Sequence, residues 1–344
     1  MIRNIVLKKP QYITSKRAIH IIDDNKEMKT LYSKKFSYRR YFLYVLLFGM
    51  VFYIYCSTMY SHHRNHVIVN DKNTFTLVIN TFKRYDMLDS ALSYYSLCPL
   101  VKQIYVIWNE EKLPPSLTVK FAHIKTPTIQ YIMHNSDSLN NRFKPIKGPH
   151  TDGIFTVDDD MRIPCSDLAL AHEVWRNNQQ SIVGFMPRIH LRGKDGQLNY
   201  RCWWRVWWDG TYSIILTKAA FIHHKYLELY TNNMPKGVHE LVDKERNCED
   251  IAMQFLIANI SSLPPVYVKG HLEDLGALNG ISTSKNVVKA GHMDKRSQCL
   301  NDLEKIFGHL PLVNSHTIVD SASNVWSNSP STFWEFISSD LWRW

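Results

Sequence analysis

Three carboxylates in a row, Asp158, Asp159 and Asp160, close the apolar run in "GIFTVDDDMRIP". Adjacent like charges repel, so the triplet by itself contributes nothing to the stability of the fold that carries it. Carboxylate oxygens are hard ligands suited to Mg2+ or Mn2+, and phosphate oxygens commonly complete the shell of such an ion. The triplet therefore predicts a divalent cation carrying a nucleotide diphosphate. That ion would neutralise the charge that develops as the diphosphate leaves. The competing reading is a solvated acidic turn ahead of a helix capped by Ser166.

A second acidic pair lies in "ERNCEDIAMQFLIANI", Glu245–Ile260. Its periodicity predicts a helix entered at Asn247, with Ile251, Ala252, Phe255 and Leu256 as the buried stripe. Asn247 reads as the N-cap, and Glu249 and Asp250 fall in the first turn, where negative charge suits the helix dipole. The alternative is that Asp250, at an exposed helix start, faces a reacting sugar as an electrostatic stabiliser or base. Phosphates also require cations. Lys83 and Arg84, Arg142, and Lys295 and Arg296 are the candidates. "RCWWRVWWDGTYSI" sets four tryptophans within six positions, in a pattern that fits neither a clean strand nor a clean helix stripe. Such rings suit stacking on sugars, a membrane interface, or the core.

The elements that would position these groups alternate. Strand runs "FTLVIN", "QIYVIW", "IQYIM", "GIFTV" and "SIVGFM" are interleaved with helical spacing over Tyr85–Leu97 and from Ser166. Alternation of this kind implies a mostly parallel sheet with helices on its faces. Ligands of open α/β sheets bind beyond the carboxyl ends of the strands, where the triplet falls. The chain beyond about Pro311 shows no clear period and is expected to be irregular.

The formal charge of +10 first suggests nucleic acid, but residues 1–40 hold 11 of the 41 Lys/Arg and only 3 of the 31 Asp/Glu. The other 304 residues carry 30 basic against 28 acidic groups, which excludes a nucleic-acid reader with a basic folded surface. Tyr41–Tyr60 runs for 20 residues without a charge, enough to cross a hydrocarbon core of roughly 30 Å as a helix. Lys34, Lys35, Arg39 and Arg40 precede it and keep the head cytosolic, a type II arrangement. Six cysteines are present and none forms C-x-x-C, so structural zinc has no support. Disulfides are permitted beyond the anchor, where five cysteines leave at least one thiol free.

Taken together, "INTFKRYDML", "IYVIWNE", "NRFKP", "TVDDD", "IVGFMPR", "KYLELY", "NCEDIAMQFLIA" and "KRSQC" resemble the exostosin-like glycosyltransferases of family 64, in the family's order. "WWRVWWDGTYSIILTKAAF" is similar to the plant branch that mannosylates glycosylinositol phosphorylceramides. The resemblance implies a GT-A type, Rossmann-like α/β fold, retaining transfer, and Mn2+ or Mg2+. It implies Asp160 as the direct metal ligand, with Asp158 sharing that role, and Asp158 and Asp159 placing nucleotide and sugar. Asp250 becomes the candidate catalytic carboxylate. Arg84, Asn109, Asn141 and Arg142 match donor-binding positions, and His292 and Arg296 match a loop that closes over the diphosphate. Cys248 and Cys299 match a family disulfide. Glu249 departs from the animal pattern, and the Asn259-Ile-Ser sequon falls at a predicted helix end.

The expected organisation is a cytosolic head over 1–40, an anchor over 41–60, a stalk over 61–72, a transferase domain over 73–313 and an extension over 314–344. The expected reaction moves mannose from GDP-mannose to a glycosylinositol phosphorylceramide-type glycolipid at a Golgi membrane, the endoplasmic reticulum being the other possible site. The alternatives are a UDP-N-acetylhexosamine transferase acting on a glycan, and an inactive membrane-tethered carbohydrate-binding protein.

Overall fold

The structure, a computed structural model, describes residues 44–54, 73–112, 120–121, 124–276 and 291–320. The chain divides into two compact units, residues 1–66 and 67–344. In the first unit residues 44–54 form a helix with exposed side chains. Among the described residues no helix is long and apolar enough to cross a membrane. The basic head, the rest of the predicted 41–60 span and the stalk lie outside the described residues.

The second unit is a mixed α/β body around one eight-stranded sheet. Its strands, in chain order, are β1 (Phe75–Thr81), β2 (Val101–Trp108), β3 (Thr128–Met133), β4 (Gly153–Asp158), β6 (Val183–Gly184), β10 (Ala219–His223), β11 (Val266–Lys269) and β13 (Ile318–Asp320). Across the sheet the order is β13-β11-β6-β10-β4-β1-β2-β3. All described neighbours are parallel except β10, which runs antiparallel to β4 and β6. β1, β2 and β4 are buried on both faces, which is why they read as continuous apolar runs.

Helices α1 (Tyr85–Tyr95) and α2 (Cys165–Arg176) follow β1 and the triplet. The disulfide Cys98–Cys165 ties the segment after α1 to the start of α2. α2 begins at Cys165 after Pro164, so the predicted cap at Ser166 is not formed and Ser166 lies inside the first turn. β5 (Met161–Arg162) pairs with β12 (Glu273–Asp274), which carries the 273–276 segment back over the triplet. β7 (Pro187–Arg192) and β8 (Leu198–Arg201) form a hairpin, joined on its other edge by β9 (Ile214–Ile215).

Four further helices complete the body: α3 (Trp203–Asp209), α4 (Lys225–Asn233), α5 (Val238–Glu245) and α6 (Glu249–Ser261). A fifth, α7 (His292–Phe307), packs on the β7–β8 hairpin through Asn301 and Ser297. α6 is buried all round from Glu249 to Ala258, not only along the predicted stripe. Sheet packing on one side and α4 and α7 on others leave it no solvent face over these positions. Beyond Pro311 only residues 312–320 are described, the rest of the predicted extension lying outside them, and these are not irregular throughout. Tyr212 and Ser315 exchange backbone hydrogen bonds of 3.0 and 2.7 Å and deliver β13 to the sheet edge beside β11.

Candidate active site

The triplet sits where β4 ends, between β1 and β10. Asp158 is the last strand residue, level with Asn80 of β1. Asp159 is fully buried, and its Oδ2 accepts a 2.6 Å hydrogen bond from Thr81, the last residue of β1. Arg84, at the start of α1, reaches back with Nη2 2.5 Å from Asp159 Oδ1 and Nη1 2.7 Å from Asp160 Oδ2. Lys83 instead lies over the Phe82 ring, 4.9 Å from its centroid. Leu275 donates its N–H to the Asp160 carbonyl at 2.9 Å, so the segment after β12 rests on the triplet. A Cβ at Gly276 would stand 2.1 Å from Asp160 Oδ2, so only glycine allows this approach.

Arg142 joins the triplet to the second acidic pair. It lies on a single 3-10 turn, Leu139–Phe143, whose start is capped by the Ser138 hydroxyl accepting from Asn140 N–H. Asn141 Nδ2 donates to Asn109 Oδ1 and to the Ser136 carbonyl, both at 2.7 Å, and fixes this turn beside β2. The Arg142 side chain is 3% exposed, pairs with Asp158, and stands 3.4 Å from Glu249 Oε1 and 3.7 Å from Asp250 Oδ1. Both predicted acidic sites are therefore one buried network.

Asp250 is held on every side. Thr217, just before β10, donates both its N–H (3.0 Å) and its hydroxyl to Oδ1. Arg296 on α7 donates to Oδ2 at 3.1 Å and also to the Tyr200 hydroxyl at 3.0 Å. Of Lys295 and Arg296, it is Arg296 that reaches the carboxylate. Cys248 and Cys299 form the expected disulfide, with Cys248 in the left-handed region at φ 83° as it leads into α6. Asn247 does not cap the helix: its Oδ1 accepts from Cys248 N–H, and its amide meets His292 Nδ1 at 3.4 Å. Asp250 is buried rather than exposed at this helix start.

Charge state follows from these contacts. Burial would raise the Asp250 carboxyl, but Arg296 and Arg142 with the Thr217 hydroxyl hold it below the usual range. Its neighbour Glu249 goes the other way, pushed up to about 7 by burial and by Asp250 itself. Burial also pushes Asp159 up to about 7 and raises Asp158, in each case against the pull of an arginine. His292 is lowered to about 4 by burial and by Arg296, so its ring is neutral at pH 7. Five carboxylates (Asp158, Asp159, Asp160, Glu249 and Asp250) are thus served by three guanidinium groups.

That imbalance bears on whether a divalent ion suits the site. Asp160 Oδ1 is buried and has no hydrogen-bond partner among the described residues. Its neighbours in the triplet offer oxygen donors only, the set that Mg2+ and Mn2+ prefer. Asp158 and Asp160 fit such an ion.

Thr81, Thr217, Tyr200 and Gly276 were not legible as site residues. Thr217 stands two residues ahead of β10, whose apolar run Ala219–Ile222 is the one sequence signal near it. Tyr200 carries no such signal. The tryptophan run is helix α3, with Trp204, Trp207 and Trp208 at 41, 68 and 72% exposure, so core packing does not account for them.

Residues 75–324 match the glycosyl transferase family 64 domain. Over 272 residues the chain is 40% identical to glycosylinositol phosphorylceramide mannosyl transferase 1 of Arabidopsis thaliana, covering 75% of this chain and 80% of that one. It is 31% identical over 265 residues to exostosin-like 2 of Homo sapiens, covering 74% and 79%. An exostosin-like-3 homolog of Caenorhabditis elegans is 34% identical over 254 residues, 73% of this chain but 29% of that protein. The family match runs from the first strand of the sheet past its last, and encloses the whole carboxylate–arginine network. The chain belongs to glycosyl transferase family 64 and is a glycosyltransferase.

Proposed function

We propose that this enzyme moves mannose, with retention, from GDP-mannose to a glycosylinositol phosphorylceramide-type glycolipid, using Mn2+ or Mg2+. The observation that carries the chemistry is Arg142 joining Asp158 to Asp250 in one buried network. The substrate choice is supported by the likeness to the plant mannosyl transferase, 40% identical over 272 residues. In this reading the body is a GT-A type nucleotide-sugar domain beginning at residue 73. It stands behind a single-pass anchor over 41–60 and a stalk over 61–72, in a Golgi membrane.

Asp158 and Asp160 would hold the ion, which when bound supplies Lewis-acid stabilisation of a departing diphosphate. Arg84 keeps Asp159 and Asp160 in place and adds positive charge near the phosphates. Asn109, Asn141 and Arg142 form the wall on the β2 side for the donor. Asp250, kept ionised by Arg296 and Arg142, faces the positive charge that develops on the sugar ring in the transition state. Burial and the neighbouring Asp250 raise the Glu249 carboxyl, which favours a single negative charge on the pair. Arg296 and His292, on the first turns of α7, would close over the diphosphate.

The test is donor turnover by the purified chain with Mn2+, offering GDP-mannose and UDP-N-acetylglucosamine in parallel with a plant inositol-phosphoceramide extract. Metal-dependent GDP release and a mannosylated lipid are expected. Selective use of the UDP sugar would replace this donor with that of the N-acetylhexosamine reading, leaving the site intact. Glycan binding without turnover of either donor would sink the proposal.

A further inference from the structure

A second cluster of metal-ligating side chains lies at the other end of β4. Asp152 immediately precedes that strand, and His223, the last residue of β10, is level with Gly153. Five residue steps along β4 separate Gly153 from Asp158, about 16–17 Å of extended chain. The two clusters are therefore distinct. Ligand atoms of Asp152, His223 and His224 all lie within 4.8 Å of one another.

Consecutive residues of a strand point to opposite faces, so two neighbouring histidines would ordinarily diverge. Here the chain leaves β10 between them: His224 takes helical angles, φ −53° and ψ −30°, as α4 begins. Both rings come to one side, with centroids 4.7 Å apart. The His224 N–H donates to the Asp152 carbonyl at 2.9 Å, and its Nε2 stands 3.6 Å from Asp152 Oδ1. A third ring, His150, lies 4.8 Å from His224. Its Nδ1 faces the Gly148 carbonyl at 2.8 Å. A carbonyl can only accept, so Nδ1 is the donor here and, in the neutral ring, the lone pair is on Nε2, the orientation that outer hydrogen bonds impose on metal-bound histidine.

We propose that Asp152, His223 and His224 form a site for a Zn2+-type dication, with His150 or water as the fourth ligand. Two imidazoles and a carboxylate select Zn2+, Co2+ or Ni2+, whereas the all-oxygen triplet suits Mg2+ or Mn2+. His223 Nδ1 accepts from Lys225 N–H at 3.1 Å, and ligation through that nitrogen releases an amide of the first helical turn to water. The ion staples the start of β4 to the end of β10, and so braces the two strands whose far ends lead to Asp158 and Thr217. The site stands independently of the transferase reading.

Co2+ added to the full chain tests this, because four-coordinate Co2+ shows visible d–d bands that octahedral Co2+ on carboxylates shows only weakly. The chain holds 16 histidines, so the readout is comparison among variants. One equivalent of strong visible absorption, displaced by Zn2+, is expected in the wild type and in Asp160→Asn. At least a tenfold weaker Co2+ affinity is expected in His224→Asn and in Asp152→Asn, whose native side chain is 75% exposed and spares the fold. Absence of the band in the wild type, or its persistence in both variants, overturns the site.

Discussion

Arg296 Nη2 stands 3.1 Å from Asp250 Oδ2, and the disulfide Cys248–Cys299 joins the same two segments, two residues before the carboxylate and three after the guanidinium. The cross-link therefore sets the spacing of α6 and α7 at the point where the ion pair forms. A pair so far removed from water is favourable only when its geometry is held for it.

Replacing both Cys248 and Cys299 by alanine is expected to cost about 2–4 kcal/mol of stability and to reduce turnover. Removing Cys98 and Cys165 together should cost stability of the same order while turnover per folded molecule is kept. Urea denaturation and kcat on the same samples separate the two. Equal losses of turnover in both double variants would show that the Cys248–Cys299 bridge has no special hold on the site.

Asp250→Asn is expected to lower kcat by about 100-fold or more, with donor KM changed by less than about threefold. The amide keeps the shape and a bond to Thr217 but loses the charge that meets the sugar. A large loss of donor affinity with kcat preserved would contradict the role given to Asp250.

Asp160→Asn should abolish metal-dependent donor binding, and Gly276→Ala should weaken it without replacing a ligand. An added Cβ at Gly276 meets Asp160 Oδ2 at 2.1 Å, and the carboxylate must swing away. Calorimetric titration of GDP-mannose with Mn2+ is expected to show affinity lower by about tenfold or more, equivalent to about 1.4 kcal/mol. Wild-type affinity in Gly276→Ala would mean that the 273–276 segment gives way instead.

The ligand-free chain should lose stability as pH rises from about 5 to 7. Glu249 moves from an ordinary 4.5 to about 7 on folding, so within that window the folded chain holds a proton that the unfolded chain has released. Its contribution is complete below 4.5 and gone above about 7, with a slope of at most about 1.4 kcal/mol per pH unit. Asp159, raised from 3.8 to about 7, acts in the same direction. Asp250, held below 3.8, acts only at more acid pH. Glu249→Gln is expected to flatten the curve, as measured by urea midpoints between pH 5 and 8. An unchanged slope would place the titration elsewhere.

Much of the parallel half of the sheet was readable before any coordinates. β1 to β4 appear within a residue or two of their apolar runs; for β1, β2 and β4 the reason is burial on both faces, whereas β3 lies at the sheet edge with no buried residue and was legible from its apolar run alone. The predicted strand Ser181–Met186 shrinks to Val183–Gly184, although Phe185 N–H still donates to Ala219 of β10 and the Ile182 carbonyl accepts from Val266 of β11. The two predicted caps failed for a shared reason: Pro164 and Cys248 occupy the cap positions, and a bridge anchors the chain at each helix start.

The order of residues alone established the kind of chemistry available: three carboxylates at a strand end, a second acidic pair on a helix, and arginines spaced along the chain. Side-chain type and local periodicity are properties of neighbours in sequence, so they survive without a fold. Tertiary structure decided which charges meet. Arg142 lies 16 residues from Asp158 and 107 from Glu249, yet touches both. It also decided that Glu249 and Asp250 titrate in opposite directions, since desolvation and the placing of Arg296 exist only once α6 and α7 are packed.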